Sequence, residues 1–213
     1  MKRHIVCLGD SNTHGYCADP CDCADGGIRF NEDERWTLRL QKALGEEWLV
    51  TEEGLSGRTT VFTDPLHESM DAISVAYPIL KSHEPVDLLI IMLGTNDTKE
   101  RFSVGAPGIA AGMDRLIKKC RSVDCWGNKE PNVLIVCPPP IGDGFRDEIM
   151  GEGCIEKSRA LAAYLAETAK NNAAHFFDAN GCEFNNIDYM HLSRKGHAQL
   201  AEKLAVLIPG LVR

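Results

Sequence analysis

Three residues of the kinds that carry out acyl transfer lie near the two ends of this sequence. Ser11 directly follows an apolar run within the stretch HIVCLGDSNTHGY, and the stretch DYMH places Asp188 three residues before His191. A serine hydroxyl becomes an effective nucleophile when a histidine takes its proton and a carboxylate orients that histidine. Within one tight loop, Asp188 is close enough to reach the ring of His191. These residues predict Ser11 as nucleophile, His191 as base and Asp188 as the group that orients the base.

The same chemistry needs hydrogen-bond donors for the negative oxygen of a tetrahedral intermediate. The sequence offers the backbone N–H of Ser11, the backbone N–H of Gly57 in EEGLSGRTT and the side-chain amide of Asn96 in GTND. Glycine allows close approach of the backbone to a ligand, and an amide donates without carrying a net charge. We expect these three groups to form an oxyanion hole.

Polar residues beside these groups are candidates for contact with the substrate. They are Asp10, Asn12, His14 and Arg58. Asp10 also suits the capping of a turn, and any of these side chains can simply pack or pair within the protein. Further candidates for the wall of the site are Tyr16, Phe102 and Phe145. Asp97 is interpreted differently, as a residue that bonds the backbone of its own turn.

Five apolar runs alternate with amphipathic segments, and polar loops follow them. The runs are residues 4–9, 48–54, 86–94, 132–140 and 175–179. Helical periodicity first appears in the thirties, and the last helix follows Ser193 as a plausible N-cap. This alternation predicts a doubly wound, mainly parallel α/β sheet. Ligands of such sheets bind beyond the carboxyl ends of the strands, where Ser11 and Asn96 are found.

Composition limits the classes of protein to consider. The chain has 213 residues, 44% of them hydrophobic, which suits one domain over residues 1–213. A formal charge of -8 without a basic stripe argues against nucleic acid as a partner. No apolar run is long enough for a membrane span or a signal-peptide core, so we expect no membrane partner and a cytoplasmic protein. The number of subunits is left open, a homo-oligomer included.

Nine cysteines are scattered along the chain, and three of them crowd the stretch CADPCDCADGG. We expect mostly free thiols in a reducing compartment. Cys17, Cys21 and Cys23 could bind a soft metal, with His14 as a conceivable fourth ligand. The simpler interpretation is a loop over the site. The metal-binding alternative corresponds to a different class of protein, a non-catalytic α/β module for a small anion or a metal.

The segments GDSNTHGY, EEGLSGRTT, GTND and DYMH resemble, in order and spacing, the four blocks of the SGNH (GDSL-type) hydrolases. The resemblance covers essentially the whole chain and is closest to bacterial arylesterases that also act as acyltransferases and perhydrolases. It implies a three-layer α/β/α sandwich with a flavodoxin-like five-stranded sheet. It also implies the Ser11, His191 and Asp188 triad, an oxyanion hole from Ser11, Gly57 and Asn96, and no metal or other cofactor.

The expected activity is that of a serine esterase. It would act on small-molecule short-chain acyl or aryl esters through an acyl-enzyme, with transfer to alcohols or peroxide where water is excluded. Carbohydrate O-deacetylation and lysophospholipase or thioesterase activity remain as alternatives, because the same blocks serve all of these. His14 stands where the arylesterases typically have a tryptophan.

Overall fold

The computed structural model describes residues 1–212, and its centre is one five-stranded sheet. The strands are β1 (Arg3–Gly9), β2 (Trp48–Gly54), β3 (Leu88–Met92), β4 (Val133–Cys137) and β5 (His175–Asp178). Their order in the sheet is β2-β1-β3-β4-β5, and each neighbouring pair is parallel. The predicted α/β class and parallel sheet are confirmed.

Six helices flank the sheet. They are α1 (Ser11–His14), α2 (Trp36–Leu44), α3 (Ala72–Ser82), α4 (Ala106–Arg121), α5 (Cys154–Asn171) and α6 (Arg194–Leu207). Short 3-10 turns cover Asn96–Thr98, Glu100–Phe102 and Ile208–Gly210. Helices α3, α4 and α5 cover one face of the sheet, and α2 and α6 cover the other. The three-layer sandwich implied by the resemblance is therefore present. Within residues 1–212, none of the helices is both long and apolar enough to cross a membrane.

The three central strands, β1, β3 and β4, are apolar because both of their faces are covered. In β1, Ile5 and Cys7 point into the core beneath α2 and α6, while Val6 and Leu8 point into the core beneath α3, α4 and α5. All five residues of β3 are buried. A parallel strand between two helical layers has no solvent face, which explains its uninterrupted apolar sequence.

Three predicted strand ends lie too far along the chain, that of β5 by a single residue. The third strand ends at Met92 and the fourth at Cys137, whereas residues 94 and 140 were expected. Residues 138–140 are three prolines, which cannot donate the N–H that a further ladder bond would require. At Gly94, φ is +124°, so the chain has already left the extended conformation.

One short helix lies before the thirties, in a segment where the sequence shows no helical periodicity. A single helical turn, α1, begins at Ser11 immediately after β1. The Asp10 carboxylate accepts a hydrogen bond from the Asn12 N–H, and the turn ends at Gly15 with φ +86°. One turn is too short to produce a periodic apolar pattern, so capping geometry alone reveals it.

The carboxyl ends of three strands lie level at one edge of the sheet. Gly9 of β1 is in register with Gly54 of β2 on one side and with Met92 of β3 on the other. The order of the strands reverses at β1, which is where open α/β sheets bind ligands. The loops that carry Ser11, Gly57 and Asn96 therefore leave the sheet at one edge.

Candidate active site

The candidate nucleophile sits at a sharp change from strand to helix. Ser11 is the first residue of α1, two positions beyond the end of β1, and only 6% of it is exposed. The Asp10 carboxylate fixes this change of direction by capping α1. The serine is thereby held at the carboxyl edge of the sheet.

Ser11, His191 and Asp188 form a continuous chain of hydrogen bonds. The His191 Nε2 atom lies 2.7 Å from the Ser11 Oγ atom, and its Nδ1 atom lies 2.6 Å from Asp188 Oδ2. A carboxylate next to Nδ1 favours the tautomer with a proton there, which leaves Nε2 free to accept the serine proton. Burial by itself would raise the pKa of Asp188, but hydrogen bonds from the His191 ring and from backbone N–H groups lower it to about 2. Asp188 therefore stays ionised across the neutral range.

The loop from 185 to 192 is held to the nucleophile turn by asparagines. Asn12 Oδ1 accepts the N–H of Leu192 at 2.8 Å, which ties the loop directly to α1. Asn185 Nδ2 donates to Asp188 Oδ1 at 3.0 Å and to the carbonyl of His191 at 2.8 Å. The prediction missed Asn185 because nothing in its local sequence distinguishes it from an ordinary loop asparagine.

Tyr189 sets the shape of the turn between Asp188 and His191. Its φ is +57°, a left-handed conformation that is unfavourable for a bulky side chain. Its ring lies directly on Gly144, where an added Cβ would be 2.2 Å from the Tyr189 Cζ atom. The Tyr189 carbonyl accepts the N–H of Gly142 at 2.8 Å. Packing against this glycine segment holds a backbone conformation that the local sequence disfavours, as is common near functional sites.

The three predicted oxyanion donors belong to neighbouring loops of the edge. Asn96 starts a 3-10 turn after β3, and its Nδ2 atom lies 3.4 Å from Asp10 Oδ2. Gly57 follows β2 with φ +91°, and an added Cβ would lie 2.6 Å from the Met70 Cε atom. The left-handed backbone, more than the contact with the flexible end of Met70, therefore favours glycine at this position. The assignment of these donors stays a prediction.

Asp10, Asn12 and Arg58, which are expected to contact the substrate, are buried and hydrogen-bonded to protein, and their contact with the substrate stays a prediction. Arg58 donates from Nη1 to the carbonyls of Gly9, at 3.1 Å, and of Glu53. It therefore joins the ends of β1 and β2. Asp10 and Asn12 are each 1% exposed and bond the backbone as described above. All three residues bond backbone groups that position the loops around Ser11.

His14 and the predicted wall residues lie in different surroundings. His14 is half-buried, as is Tyr16, whose ring centroid is 4.6 Å from that of His191. Phe102 is half-buried against Phe62, while Phe145 is buried in a small cluster with Ile141, Met150 and Cys154. Of these residues, Tyr16 contacts the candidate triad directly. Contact of His14 with the substrate stays a prediction.

The three crowded cysteines are not gathered into one group of side chains. Cys17 and Cys23 are buried with Phe30, whereas Cys21 is exposed. Burial raises the pKa of the Cys17 thiol to about 11, which disfavours the thiolate that binds metals. No group of three or more histidine, cysteine or acidic side chains within residues 1–212 is arranged to hold a metal ion. The structure does not support the metal-binding alternative for these cysteines, all of which are free thiols.

A serine hydrogen-bonded to a histidine that is in turn hydrogen-bonded to an aspartate, at the carboxyl edge of a parallel sheet, is the arrangement found in serine hydrolases of the α/β/α class. The family model described as "GDSL-like Lipase/Acylhydrolase family" matches residues 7–199. The chain belongs to this family and is a GDSL-type carboxylic ester hydrolase. The resemblance drawn from the four sequence blocks is confirmed.

Solved structures agree with this assignment over the full length of the chain. Est24, a carbohydrate acetylesterase from Sinorhizobium meliloti, is 34% identical, with 99% of this chain and 100% of that chain covered and a TM-score of 0.88. The aryl esterase of M. smegmatis gives the same four values. A G-D-S-L family member from Veillonella parvula is 17% identical, with 97% of this chain and 98% of that chain covered and a TM-score of 0.69, and shows the fold alone. No curated protein sequence matches the chain.

The close approach of β2 to α1 leads to a prediction at Gly54. An added Cβ would lie 2.2 Å from the His14 backbone nitrogen and 2.5 Å from the Thr13 carbonyl carbon. Backbone atoms cannot yield as a flexible side chain can, so we expect Gly54→Ala to displace α1 and destabilise the protein by roughly 1–3 kcal/mol. Ester hydrolysis should fall as well, because Ser11 moves with α1. Urea unfolding and initial rates measure the two effects.

The control for this substitution is Gly210→Ala. An added Cβ at Gly210 meets nothing within 4 Å, and its backbone is not left-handed. This variant should match the wild type in both measurements. A Gly54→Ala protein with unchanged stability and rate would contradict the tight contact.

Two buried carboxyl groups near the nucleophile predict a pH-dependent stability. Burial raises the pKa of Asp10 and of Asp97 to about 6 in each case, although hydrogen bonds from Asn12 and Thr60 oppose the shift. Between about pH 4 and pH 6 the folded state thus keeps protons that the unfolded chain has lost. Stability therefore falls as the pH rises through this window.

Asp97→Asn removes one of the two titrations. We expect the free energy of unfolding of this variant, relative to the wild type, to rise between pH 4 and pH 6 by up to roughly 3 kcal/mol and to stay level above pH 7. Urea titrations at four pH values measure the difference. Asp124→Asn, at a side chain that is 98% exposed, is the control for removing one negative charge. A difference that is constant with pH would exclude the buried titration of Asp97.

Proposed function

We propose that this protein hydrolyses short-chain acyl or aryl esters through an acyl-enzyme on Ser11, with His191 as base and Asp188 as its orienting group. The observation that supports this most directly is the pair of hydrogen bonds at 2.7 Å and 2.6 Å that joins the three side chains. Such a connected serine, histidine and carboxylate is the arrangement that activates a serine hydroxyl.

In the first half-reaction, the Ser11 Oγ atom attacks the carbonyl carbon of the ester while its proton passes to His191 Nε2. Asp188 stabilises the resulting imidazolium through its bond to Nδ1. When the tetrahedral intermediate collapses, the bond between the carbonyl carbon and the alcohol oxygen breaks. The departing alcohol takes the proton from His191, and the acyl group remains on Ser11.

The second half-reaction repeats these steps with a new nucleophile. Water enters, His191 takes its proton, and the oxygen attacks the acyl carbon. Collapse of the second intermediate returns the proton to Ser11 and releases the acid. An alcohol or hydrogen peroxide that enters in place of water gives an ester or a peracid, respectively, by the same route.

The negative oxygen of both intermediates is assigned to three donors, the N–H groups of Ser11 and Gly57 and the amide of Asn96. Support comes from the strand register, since the three loops leave the sheet at one edge. Asn96 is also 3.4 Å from the carboxylate of Asp10, the residue before the nucleophile. The loop that follows β1 and the loop that follows β3 therefore meet beside Ser11.

Carbohydrate O-deacetylation is the second candidate. A carbohydrate acetylesterase and an aryl esterase resemble this chain equally, at 34% identity. Both activities transfer a small acyl group, and they differ in the alcohol that leaves. The leaving group therefore decides between the two proposals.

Hydrolysis of p-nitrophenyl esters from acetate to octanoate tests the first proposal. We expect rapid turnover of acetate and butyrate, a decline toward octanoate, and no turnover by Ser11→Ala. Ser82→Ala, at an exposed serine on α3, is the control. Acetate release from a peracetylated sugar, measured beside p-nitrophenyl acetate, tests the second. Activity that survives in Ser11→Ala would refute the mechanism on Ser11.

A further inference from the structure

Asp97 makes a buried connection between two of the loops that carry the assigned oxyanion donors. It follows Asn96 in the 3-10 turn after β3 and is fully buried. Its Oδ1 atom accepts hydrogen bonds from both the backbone N–H of Thr60, at 2.9 Å, and the Thr60 hydroxyl. Thr60 lies three residues after Gly57. The expectation that Asp97 serves only its own turn is therefore wrong, because these bonds run to the loop that follows β2.

The Thr60 end of that loop is otherwise attached to helix α3. The Thr60 carbonyl accepts the N–H of Ile73 at 3.1 Å, and Thr59 pairs with Met70 and Ala72. At the other end, Arg58 is attached to the strand ends through Gly9 and Glu53. These contacts fix the loop to β1, β2 and α3, but none of them reaches the turn that carries Asn96.

Across residues 1–212, the hydrogen bonds between residues 55–61 and the turn at 96–98 all run through Asp97 and Thr60. A second connection exists further out, where Asp64 pairs with Lys99 at 3.1 Å and with Arg101 at 2.8 Å. Asp64 lies seven residues beyond Gly57, so this ion pair constrains the Gly57 N–H less directly. The Asp97 bonds are therefore the more direct of the two connections between the loops that carry Gly57 and Asn96.

The choice of a carboxylate at this position has a cost in stability. Burial raises the pKa of Asp97 to about 6, and its Oδ2 atom has no hydrogen-bond partner among the described residues. A neutral amide would supply the same acceptor without desolvating a charge. What the carboxylate adds is a shorter and stronger pair of bonds to Thr60. A costly, rigid connection beside a reactive serine indicates a function in positioning.

We propose that Asp97 is a positioning residue of the oxyanion hole, which holds Thr60 and so sets the separation between the Gly57 N–H and the Asn96 amide. The inference rests on the proposed function, because it matters to catalysis only if these two groups receive the oxyanion. Donors fixed in advance stabilise charge that develops in the transition state and contribute little to ground-state binding. Loss of the connection should therefore lower kcat and leave KM nearly unchanged.

The test compares Asp97→Ala and Asp97→Asn with the wild type on p-nitrophenyl acetate. We expect Asp97→Ala to lower kcat about ten- to a hundredfold, below the loss of a whole donor, with KM within about twofold. An aryl trifluoromethyl ketone, which forms a tetrahedral adduct with an active serine, should bind more weakly by the same factor. Asp97→Asn should recover most of the loss, because its Oδ1 atom accepts both bonds from Thr60. Asp124→Ala is the control at an exposed aspartate.

A second measurement does not depend on turnover. Hydrogen exchange of the amides at 57–60 should become faster in Asp97→Ala and remain slow in Asp97→Asn, while amides of β3 and β4 stay protected in both. Thr60→Val, which keeps the backbone bond and loses the hydroxyl bond, should fall between the two in exchange and in kcat. This series separates a local displacement from general unfolding.

The outcomes distinguish the two proposals. An active wild type together with an Asp97→Ala protein of unchanged kcat and unchanged ketone affinity would overturn the inference and leave the proposed function intact. A loss of kcat matched by an equal loss of folded protein would also overturn it. A wild type that hydrolyses no ester, or a fully active Ser11→Ala, would refute the proposed function and with it the catalytic role of Asp97, whatever the exchange data show.

Discussion

Ser11→Ala and His191→Ala are each expected to lower kcat for p-nitrophenyl acetate by a factor on the order of 10⁴ or more, and the double variant is expected to be no slower than either. The physical reason is that the two side chains act as one unit. The hydroxyl at 2.7 Å from Nε2 is nucleophilic only while His191 takes its proton, and the histidine has no proton to take without Ser11. Steady-state rates of the three variants, taken with the same enzyme preparation and substrate, measure the coupling.

Matched controls are available for both substitutions. Ser82→Ala and His175→Ala remove the same side chains at exposed positions, on α3 and at the start of β5. Both variants should keep the wild-type rate. If the losses of the single variants multiply in the double variant, the two residues act independently and the triad is refuted. Organophosphonate labelling of Ser11, followed by mass spectrometry, checks the identity of the nucleophile separately.

Asn96→Ala is expected to lower kcat about 100- to 1000-fold with little change in KM. The amide is assigned to the oxyanion, whose charge is present in the transition state and not in the bound ester. Asn96→Asp should be slower still, because a carboxylate cannot donate and would stand 3.4 Å from the Asp10 carboxylate. Initial rates over a range of ester concentrations separate kcat from KM.

Asn180→Ala, at an exposed asparagine after β5, is the control for the amide substitution. Urea unfolding of Asn96→Ala is needed beside the kinetics, since the substitution also leaves Asp10 Oδ2 without this neighbour. A loss that appears mainly in KM would assign Asn96 to ground-state binding of the ester. An unchanged kcat would remove it from the oxyanion hole.

Much of the architecture follows from local patterns. The five predicted runs correspond to β1 to β5. The central strands are the easiest to predict, because a strand covered on both faces must be apolar at successive positions, and β3 shows this at every residue. Asp188 and His191 are in contact because DYMH lies in one tight turn, and Ser11 meets His191 because Asn12 ties that loop to α1. Roles for these residues remain predictions, whereas their proximity is a property of the structure.

Supporting contacts escaped prediction because they join distant segments. The sequence predicts Arg58 as a substrate contact but does not predict its bonds to carbonyls at the ends of β1 and β2. Asn12 and Asp97 each bond a backbone N–H far along the chain, at Leu192 and at Thr60. Tyr189 has a left-handed backbone that its own neighbours in sequence do not favour.

The sequence by itself determined the parallel α/β class, the serine after β1, and the aspartate and histidine before α6, because each depends on residue type and short-range spacing. Only the tertiary structure decided the order β2-β1-β3-β4-β5, and with it which loops meet at the edge. It also decided that Asp10, Asn12, Arg58 and Asp97 are buried and face the protein. The physical reason is that a buried polar group takes whichever partner the fold brings within hydrogen-bond distance, and no local pattern specifies that partner.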